Sequence, residues 1–285
     1  KSSLMEMIAS ELRDNGVSEE NIIYLDLDKR GFKKVKTTDA LEKCIDERAT
    51  ADGLKYLFID EIQNVKDFEE LINGYRCEGG WSIFITGSNS YLLSGELVTK
   101  LTGRYLEFEM FPLSFSEYEE MKKFYGKTIN NNIQAELASY VLESGFPRTI
   151  LIDDPVDKRK YVQGVIKEIF EKDIRKRVKI RKKETFEIVR RYIINNFGTT
   201  TSINNICDEL KKNGLGIGKA TVSRYIKALV DAKILYECNR FDMKSKKSLS
   251  GEKKYYLADL GFYYSENVDN RINYGPTLEN MLYIY

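Results

Sequence analysis

The sequence predicts an α/β fold, in which a parallel sheet with helices on both faces is followed by a mainly helical half. Short apolar runs lie at residues 22–27, 56–59 and 81–86, with helical stretches at 39–46 and 68–75. Apolar runs that alternate with helices indicate a parallel sheet covered on both sides. A further run at residues 105–111 alternates less regularly, ends at Pro112 and predicts the next strand.

A helix is expected before the first strand. Apolar residues recur at helical spacing at Leu4, Met5, Ile8 and Leu12, and the pair Asn15-Gly16 supplies a stop signal. This spacing indicates one buried helix face.

Composition limits the class of protein. The 285 residues suffice for about two domains. A hydrophobic content of 42% and a charged content of 31%, without a long apolar stretch, indicate no membrane span. The net charge is only +1, so any contact with nucleic acid must come from a local patch. The four cysteines lack CxxC spacing, so we expect a cytoplasmic protein without a zinc site or disulfide framework. Histidine is absent, so chemistry must use carboxylates, lysine, arginine or a bound metal.

After Pro112 the pattern becomes helical. Helices are predicted at residues 115–125, 132–143 and 157–178, which together suggest a helical subdomain. A basic run, which includes Arg175 and Lys183, then leads into a new unit, with a boundary near residue 180.

The next unit is predicted to be a winged helix. Helical periodicity is present at residues 185–196, 203–212 and 219–232, and strand-like runs lie at 234–241 and 254–258. The loop between the two runs is rich in lysine and serine. Three helices followed by a hairpin with a basic tip are typical of winged helices.

The run at residues 56–61 is an apolar strand that ends in two acids, the arrangement known as Walker B. Asp60 can hold Mg²⁺, and Glu61 can polarise a water that attacks a terminal phosphate. The alternative is an ordinary buried strand that ends in an acid at the sheet surface.

Lys1-Ser2 opens an amphipathic helix, as do the last two residues of the phosphate-binding loop G-x-x-x-x-G-K-[ST]. We therefore expect the chain to be most of a P-loop ATPase, with the loop's glycines before Lys1. Lys1 would neutralise the β and γ phosphates of ATP, and Ser2 would ligate Mg²⁺.

Small polar residues follow the third strand. Ser88 or Asn89 could hydrogen-bond a γ-phosphate, and the alternative is a plain strand-to-helix turn. Arg104 could stabilise charge on ATP in this subunit or in a neighbouring one, or it could be a surface arginine.

In this order, the motifs resemble those of predicted prokaryotic ATPases of the AAA-plus superfamily with a C-terminal domain of unknown function. The matching segments are residues 1–4, 57–65, 86–90, 101–104, 111–115, 145–147, 169–174 and 254–262. The resemblance implies binding of ATP and Mg²⁺, and hydrolysis by Lys1, Ser2, Asp60 and Glu61. It also implies that residues 275–280 begin a nuclease-like domain, in which Glu279 would precede metal-binding acids.

The expected domains are an ATPase core with a truncated phosphate loop, a helical subdomain, a winged helix and the start of a C-terminal domain. They span residues 1–112, 113–182, 183–262 and 263–285.

The third helix of the winged unit has an apolar face at Val222, Tyr225, Ile226, Leu229 and Val230. The residues left outward are Lys219, Thr221, Ser223, Arg224 and Lys227, which are types that contact phosphates and bases in DNA. Wing lysines at positions 244, 246 and 247 would add backbone contacts. Solvation, or packing against a protein partner, is the alternative.

The leading hypothesis is an ATP-driven switch. The alternatives are a winged-helix DNA-binding regulator with a degenerate nucleotide site, and a nucleic-acid-processing enzyme whose chemistry resides beyond residue 285. DNA, another protein and a second copy of the chain all remain open as partners.

Overall fold

The computed structural model describes residues 1–87, 103–175, 180, 183–242, 247–267 and 271–285. The chain forms two compact units, Lys1–Met110 and Phe111–Tyr285. Within the described residues, no helix combines the length and the apolar character needed to cross a bilayer.

The first unit is built around a parallel sheet, as predicted. Its elements are α1 (Ser2–Asp14), β1 (Ile22–Asp26), α2 (Thr38–Asp46), β2 (Lys55–Asp60), α3 (Phe68–Glu78) and β3 (Trp81–Ile85). The described sheet has the order β1-β2-β3, and both strand pairs are parallel. The carboxyl ends of all three strands therefore meet at one edge.

Side chains alternate between the two faces of this sheet. On one face, Ile22 and Phe58 pack with Met5 and Ala9 of α1. On the other, Leu57 and its neighbours pack with α2 and α3. The sheet is thus covered on both sides, which confirms the prediction made from the apolar runs.

The prediction of a strand at residues 105–111 is wrong. No strand is present there, and the side chains of Leu106 and Phe108 are 85% and 79% exposed. Alternation of apolar residues with Glu107 and Glu109 resembles a half-buried strand, but a strand also needs a hydrogen-bonded neighbour. None of the described strands pairs with this segment.

The second unit is helical with one hairpin. Its elements are α4 (Phe115–Phe124), α5 (Ile133–Glu143), α6 (Pro155–Ile169), α7 (Lys183–Asn195), α8 (Ile203–Lys212), α9 (Lys219–Asp231), β4 (Leu235–Asp242), β5 (Lys247–Leu257), α10 (Gly261–Tyr264) and α11 (Tyr274–Ile284). Polar side chains start several of these helices, and Ser114 and Glu117 form a capping box at α4. The antiparallel pairing of β4 with β5 follows the three predicted helices.

The helix predicted at residues 157–178 does not continue as an α-helix to its predicted end. The α-helix α6 ends at Ile169 and passes into a π-helical turn, Phe170–Ile174. Residues 176–179 lie outside the described residues.

One buried core extends from Tyr118 in α4 to Tyr264 in α10 and includes α7, α8 and α9. The finer boundaries at 112, 182 and 262, and the assignment of a winged helix, stay predictions.

Candidate functional site

Polar side chains collect at the carboxyl edge of the sheet in the first unit. Asp26 ends β1, Asp60 ends β2 and Thr86 directly follows β3. Asp26 and Asp60 are register partners, and the Leu27 amide donates to the Asp60 carbonyl oxygen at 3.2 Å. In open α/β sheets, ligands bind at this edge.

Asp60 is buried, with only 3% of its surface exposed. Its Oδ1 accepts a hydrogen bond from the Thr86 hydroxyl. This contact fixes one oxygen of the carboxylate, and a carboxylate has acceptor sites on both oxygens. The second oxygen can therefore serve another ligand.

Glu61 directly follows the strand in a left-handed backbone conformation, with φ 59° and ψ 45°. This region is uncommon for a residue with a side chain, and such residues cluster at functional sites. The Glu61 amide donates to Thr86 Oγ1 at 3.4 Å, and the Gln63 side-chain amide donates to the Glu61 carboxylate. The chain thus leaves the extended path of β2 at Glu61.

The surroundings of Glu61 raise the pKa of its carboxyl above the ordinary value. Burial raises the pKa of the Glu61 carboxyl, and the charges of Asp28 and Asp60 raise it further. The hydrogen bond from Gln63 and the charge of Lys1 lower this pKa in part. A raised pKa makes a carboxylate a stronger base once it is ionised.

Lys1 lies at the same edge. Its Nζ donates to the Gly87 carbonyl oxygen at 2.8 Å, just after β3. Ser2 begins α1 with an exposed side chain, and its carbonyl oxygen accepts from the Tyr24 hydroxyl at 3.4 Å. Lys1 thus lies at the edge that also holds Asp60 and Glu61, and the roles of these residues toward ATP stay predictions.

Several polar groups at this edge were missed. Thr86 and Gln63 hold the two acids, and Asn64 Nδ2 donates to Asp28 Oδ1 at 3.1 Å. Asp26 is engaged in its own turn, because its Oδ1 accepts from the Asp28 amide at 3.1 Å. These groups could have been found in the sequence, because polar residues directly follow each apolar run.

Arg104, Ser88 and Asn89 are the remaining predicted site residues of this unit. Arg104 is exposed and directly follows Gly103. Ser88 and Asn89, the expected phosphate sensors, lie outside the described residues, as do the wing lysines at 244 and 246.

Hard oxygen donors are the ligands that Mg²⁺ prefers, and Mg²⁺ keeps several waters while using one or two protein carboxylates. Asp60 supplies such a carboxylate, and Ser2 supplies a hydroxyl. No group of three or more His, Cys, Asp or Glu side chains among the described residues is arranged to hold a metal. The donor set therefore fits a hydrated Mg²⁺ and does not fit a dedicated protein cage.

A second polar surface lies on α9 of the other unit. Lys219, Ser223, Arg224 and Lys227 are exposed there, and Thr221 is half-buried. Of the predicted inward residues, Val222, Tyr225, Ile226 and Leu229 are buried, and Val230 is half-buried. The surface of α9 thus has a buried apolar side and an exposed polar side, as the periodicity predicts.

Glu279 lies on α11, where its carboxylate accepts from Lys254 and from the Tyr256 hydroxyl, the latter at 2.6 Å. The hydrogen bond from Lys254 holds the Glu279 pKa below its usual value. A structural ion pair accounts for these contacts, and the nuclease-like role stays a prediction.

Family models match both halves of the chain. Residues 1–119 match the family model described as an AAA domain, and residues 134–270 match a domain of unknown function, DUF8612. The first match includes the three strands, Lys1 and both acids. The first unit is therefore similar to AAA domains.

Full-length relatives match as well. An uncharacterized protein of Haemophilus influenzae is 30% identical over 286 residues, which cover 100% of this chain and 70% of that protein. An uncharacterized protein of Methanocaldococcus jannaschii is 30% identical over 270 residues, which cover 93% of this chain and 60% of that protein. The chain belongs to the same family as the Haemophilus protein.

Two solved structures resemble the chain. The Walker-type ATPase of Pyrococcus abyssi has a TM-score of 0.48 at 14% identity, over 88% of this chain and 68% of that one. The Aeropyrum pernix ORC1 protein, in complex with DNA, has a TM-score of 0.35 at 15% identity, over 91% of this chain and 80% of that one.

Proposed function

We propose that this chain binds ATP with Mg²⁺ at the carboxyl edge of its sheet and hydrolyses it. The observation that carries the proposal is the pair Asp60 and Glu61: a buried aspartate with one oxygen fixed, followed by a glutamate in a left-handed turn. The match of residues 1–119 to an AAA domain supports the same conclusion.

Each residue has a distinct role in this proposal. Asp60 and Ser2 would hold the metal, directly or through water. When bound, Mg²⁺ would neutralise charge on the phosphates. Lys1 would contact the β and γ phosphates, near the start of α1 where the helix dipole favours an anion. Glu61 would accept a hydrogen bond from the attacking water and orient it.

The proposed role of Arg104 is charge stabilisation toward ATP, in this subunit or a neighbouring one. Ser88 and Asn89 are proposed to contact the γ-phosphate. The resulting ATP and ADP states would make different contacts at the edge, and this difference would shift the protein between two conformations. A nucleotide-driven switch is therefore the proposed biological mode of action.

The test is magnesium-dependent ATP hydrolysis by the natural full-length protein and its Glu61→Gln variant. We expect turnover to fall tens- to hundreds-fold in the variant, roughly 2 to 4 kcal/mol of barrier, with nucleotide binding retained. Glu78→Gln is the matched control, because Glu78 is exposed at the end of α3, beside the opposite edge of the sheet. Absence of ATP binding at millimolar concentrations would reject the proposal.

The second candidate function is DNA binding by a winged helix formed by α7, α8, α9 and the β4–β5 hairpin. The division of α9 into a buried apolar face and an exposed face with Lys219, Ser223, Arg224 and Lys227 favours it. Thr221 would lie at the border of this contact face. In helix-turn-helix modules, the corresponding helix enters the major groove.

Fluorescence anisotropy with duplex DNA across a salt series tests this candidate. We expect Arg224→Ala with Lys227→Ala to weaken binding and to reduce the salt slope by about two, since each phosphate contact contributes about one. Lys160→Ala, an exposed lysine on α6, is the control. Equal binding by all variants would exclude α9 as the contact surface and would favour a protein partner.

A further inference from the structure

Thr86 connects the two acids through one hydroxyl group. Its Oγ1 donates to Asp60 Oδ1 and accepts from the Glu61 amide at 3.4 Å. A hydroxyl has one donor and two acceptor sites, so both contacts can exist at once. The side chain is half-buried, which limits competition from solvent.

The backbone of Thr86 holds the same turn independently. Its amide donates to the Ile59 carbonyl oxygen at 3.0 Å, and its carbonyl oxygen accepts from the Ile62 amide at 3.0 Å. The parallel ladder therefore continues past β3 and spans Glu61. Because these bonds do not involve the side chain, the hydroxyl can be removed while the turn keeps its backbone support.

The hydroxyl acts at the atoms on which the proposed chemistry depends. With Oδ1 of Asp60 fixed by a donor, the carboxylate plane is set and its other oxygen is left for the metal or a metal-bound water. The Glu61 amide donates to the same Thr86 Oγ1, which holds the start of the left-handed turn in place. The positions of both acids thus depend on the Thr86 hydroxyl.

We propose that Thr86 is a positioning residue that orients Asp60 toward Mg²⁺ and Glu61 toward the attacking water. This inference rests on the proposed ATPase function. It assigns to Thr86 a role through the two acids and no contact with ATP. Loss of the hydroxyl should therefore weaken the response to Mg²⁺ and slow turnover together.

Two substitutions separate orientation from packing. Thr86→Val keeps the β-branched shape but removes the hydroxyl, whereas Thr86→Ser keeps the hydroxyl and removes a methyl group. A packing role would make the serine variant the less stable and the more impaired of the two. A positioning role gives the opposite order in activity.

The experiment measures ATP hydrolysis against Mg²⁺ concentration at saturating ATP, and urea unfolding, for the full-length wild type and both variants. Because a hydrogen bond to a charged group is lost, we expect Thr86→Val to need about tenfold more Mg²⁺ and to turn over about tenfold more slowly. Thr86→Ser should stay within about threefold of wild type in both quantities. Both variants should still be fully folded without urea, so a loss of activity in Thr86→Val would not reflect a loss of folded protein.

Two results would overturn the inference. One is a Thr86→Val protein whose Mg²⁺ dependence and turnover match those of the wild type. The other is a loss of activity in Thr86→Ser that equals the loss in Thr86→Val and follows a loss of stability. A wild type that does not hydrolyse ATP would instead reject the proposed function on which the inference rests.

Discussion

Each unit of the chain contains a buried aspartate that adjoins a residue with positive φ, either in the sequence or through a hydrogen bond. In the first unit, Asp60 is 3% exposed and Glu61 has φ 59°. In the second, Asp259 is 5% exposed and contacts Ser144, which has φ 83°. The two aspartates are similar in burial and differ in what surrounds their oxygens.

Backbone groups occupy both oxygens of Asp259. Its Oδ2 accepts from the Gly145 amide and its Oδ1 from the Gly261 amide, each at 2.7 Å, and Ser144 adds a side-chain hydrogen bond. Asp60 instead accepts from the hydroxyl of Thr86 through one oxygen. A carboxylate with donors on both oxygens joins parts of a fold, whereas one whose second oxygen has no donor among the described residues can bind a ligand. Hydrogen-bond partners, more than burial, therefore distinguish a structural aspartate from one that can bind a ligand.

The hydrogen bonds that hold the positive-φ residue also differ between Glu61 and Ser144. Ser144 is buried, its amide donates to the Tyr140 carbonyl oxygen at 3.0 Å, and its Oγ accepts from the Phe146 amide at 3.1 Å. Its ψ of 149° falls in a region that glycine normally occupies. This conformation persists because the surrounding core fixes it.

The largest expected effect separates the two aspartates directly. Asp259→Ala leaves two buried amides without their acceptor, so we expect the free energy of unfolding to fall by roughly 2 to 5 kcal/mol. Asp60→Ala removes a buried carboxylate with a single side-chain donor and should change stability by less than about 1 kcal/mol. Urea unfolding of both variants measures the difference. Equal losses would show that Asp60 is structural as well.

A smaller effect is expected from a methyl group at the Asp259 junction. A Cβ at Gly261 would collide with the Ser144 side chain and lie 2.6 Å from Asp259 Oδ1. Because this junction is buried, Gly261→Ala should cost roughly 1 to 3 kcal/mol of unfolding free energy.

Gly164→Ala is the control for that substitution. Gly164 lies inside α6, and a Cβ there would meet nothing within 4 Å. Alanine should stabilise this helix by about 0.5 to 1 kcal/mol. If both variants were equally stable, the packing around Gly261 would be looser than the structure indicates.

The smallest effect is a pH dependence. Burial raises the pKa of the Asp259 carboxyl above its usual value, because the charged form is desolvated. Its contribution to stability is therefore fully present below the unfolded-state pKa and is lost as pH rises through the folded-state pKa. Relative to Asp259→Asn, which does not titrate, the wild type should lose stability as pH rises from about 4 toward neutrality.

Urea unfolding of wild type and Asp259→Asn across this range measures the effect. Tyr140 and Tyr285 face Asp259, and burial raises the pKa of both phenols, so they stay neutral in the window. A stability difference that is constant with pH would contradict the account of Asp259.

Much of the fold could be predicted from the sequence because periodicity is a local signal. The parallel strands, their covering helices and the buried face of α9 all follow from residue spacing. Asp60 and Glu61 were found for the same reason, since they directly end an apolar run. The segment at 105–111 shows the limit, because alternation predicts a strand only when a neighbour is available for pairing.

Contacts between distant residues leave no such signal. Thr86 meets Asp60 across 26 positions, and the Gly145 amide meets Asp259 across 114. Neither pairing follows from the spacing of residue types. The left-handed turn at Glu61 was equally hidden, because glutamate is not a residue type that indicates positive φ.

Nucleotide binding with and without Mg²⁺, by the full-length wild type and Asp60→Asn, tests whether this edge of the sheet is a magnesium–nucleotide site. Asparagine keeps the shape of the side chain and an oxygen that can accept from Thr86, but lacks the charge that attracts the metal. We expect Mg²⁺ to strengthen ATP binding by the wild type and this enhancement to fall about tenfold or more in the variant, as for a lost charged contact. Equal enhancement in both proteins, or no ATP binding by the wild type, would contradict the assignment of this edge as a magnesium–nucleotide site.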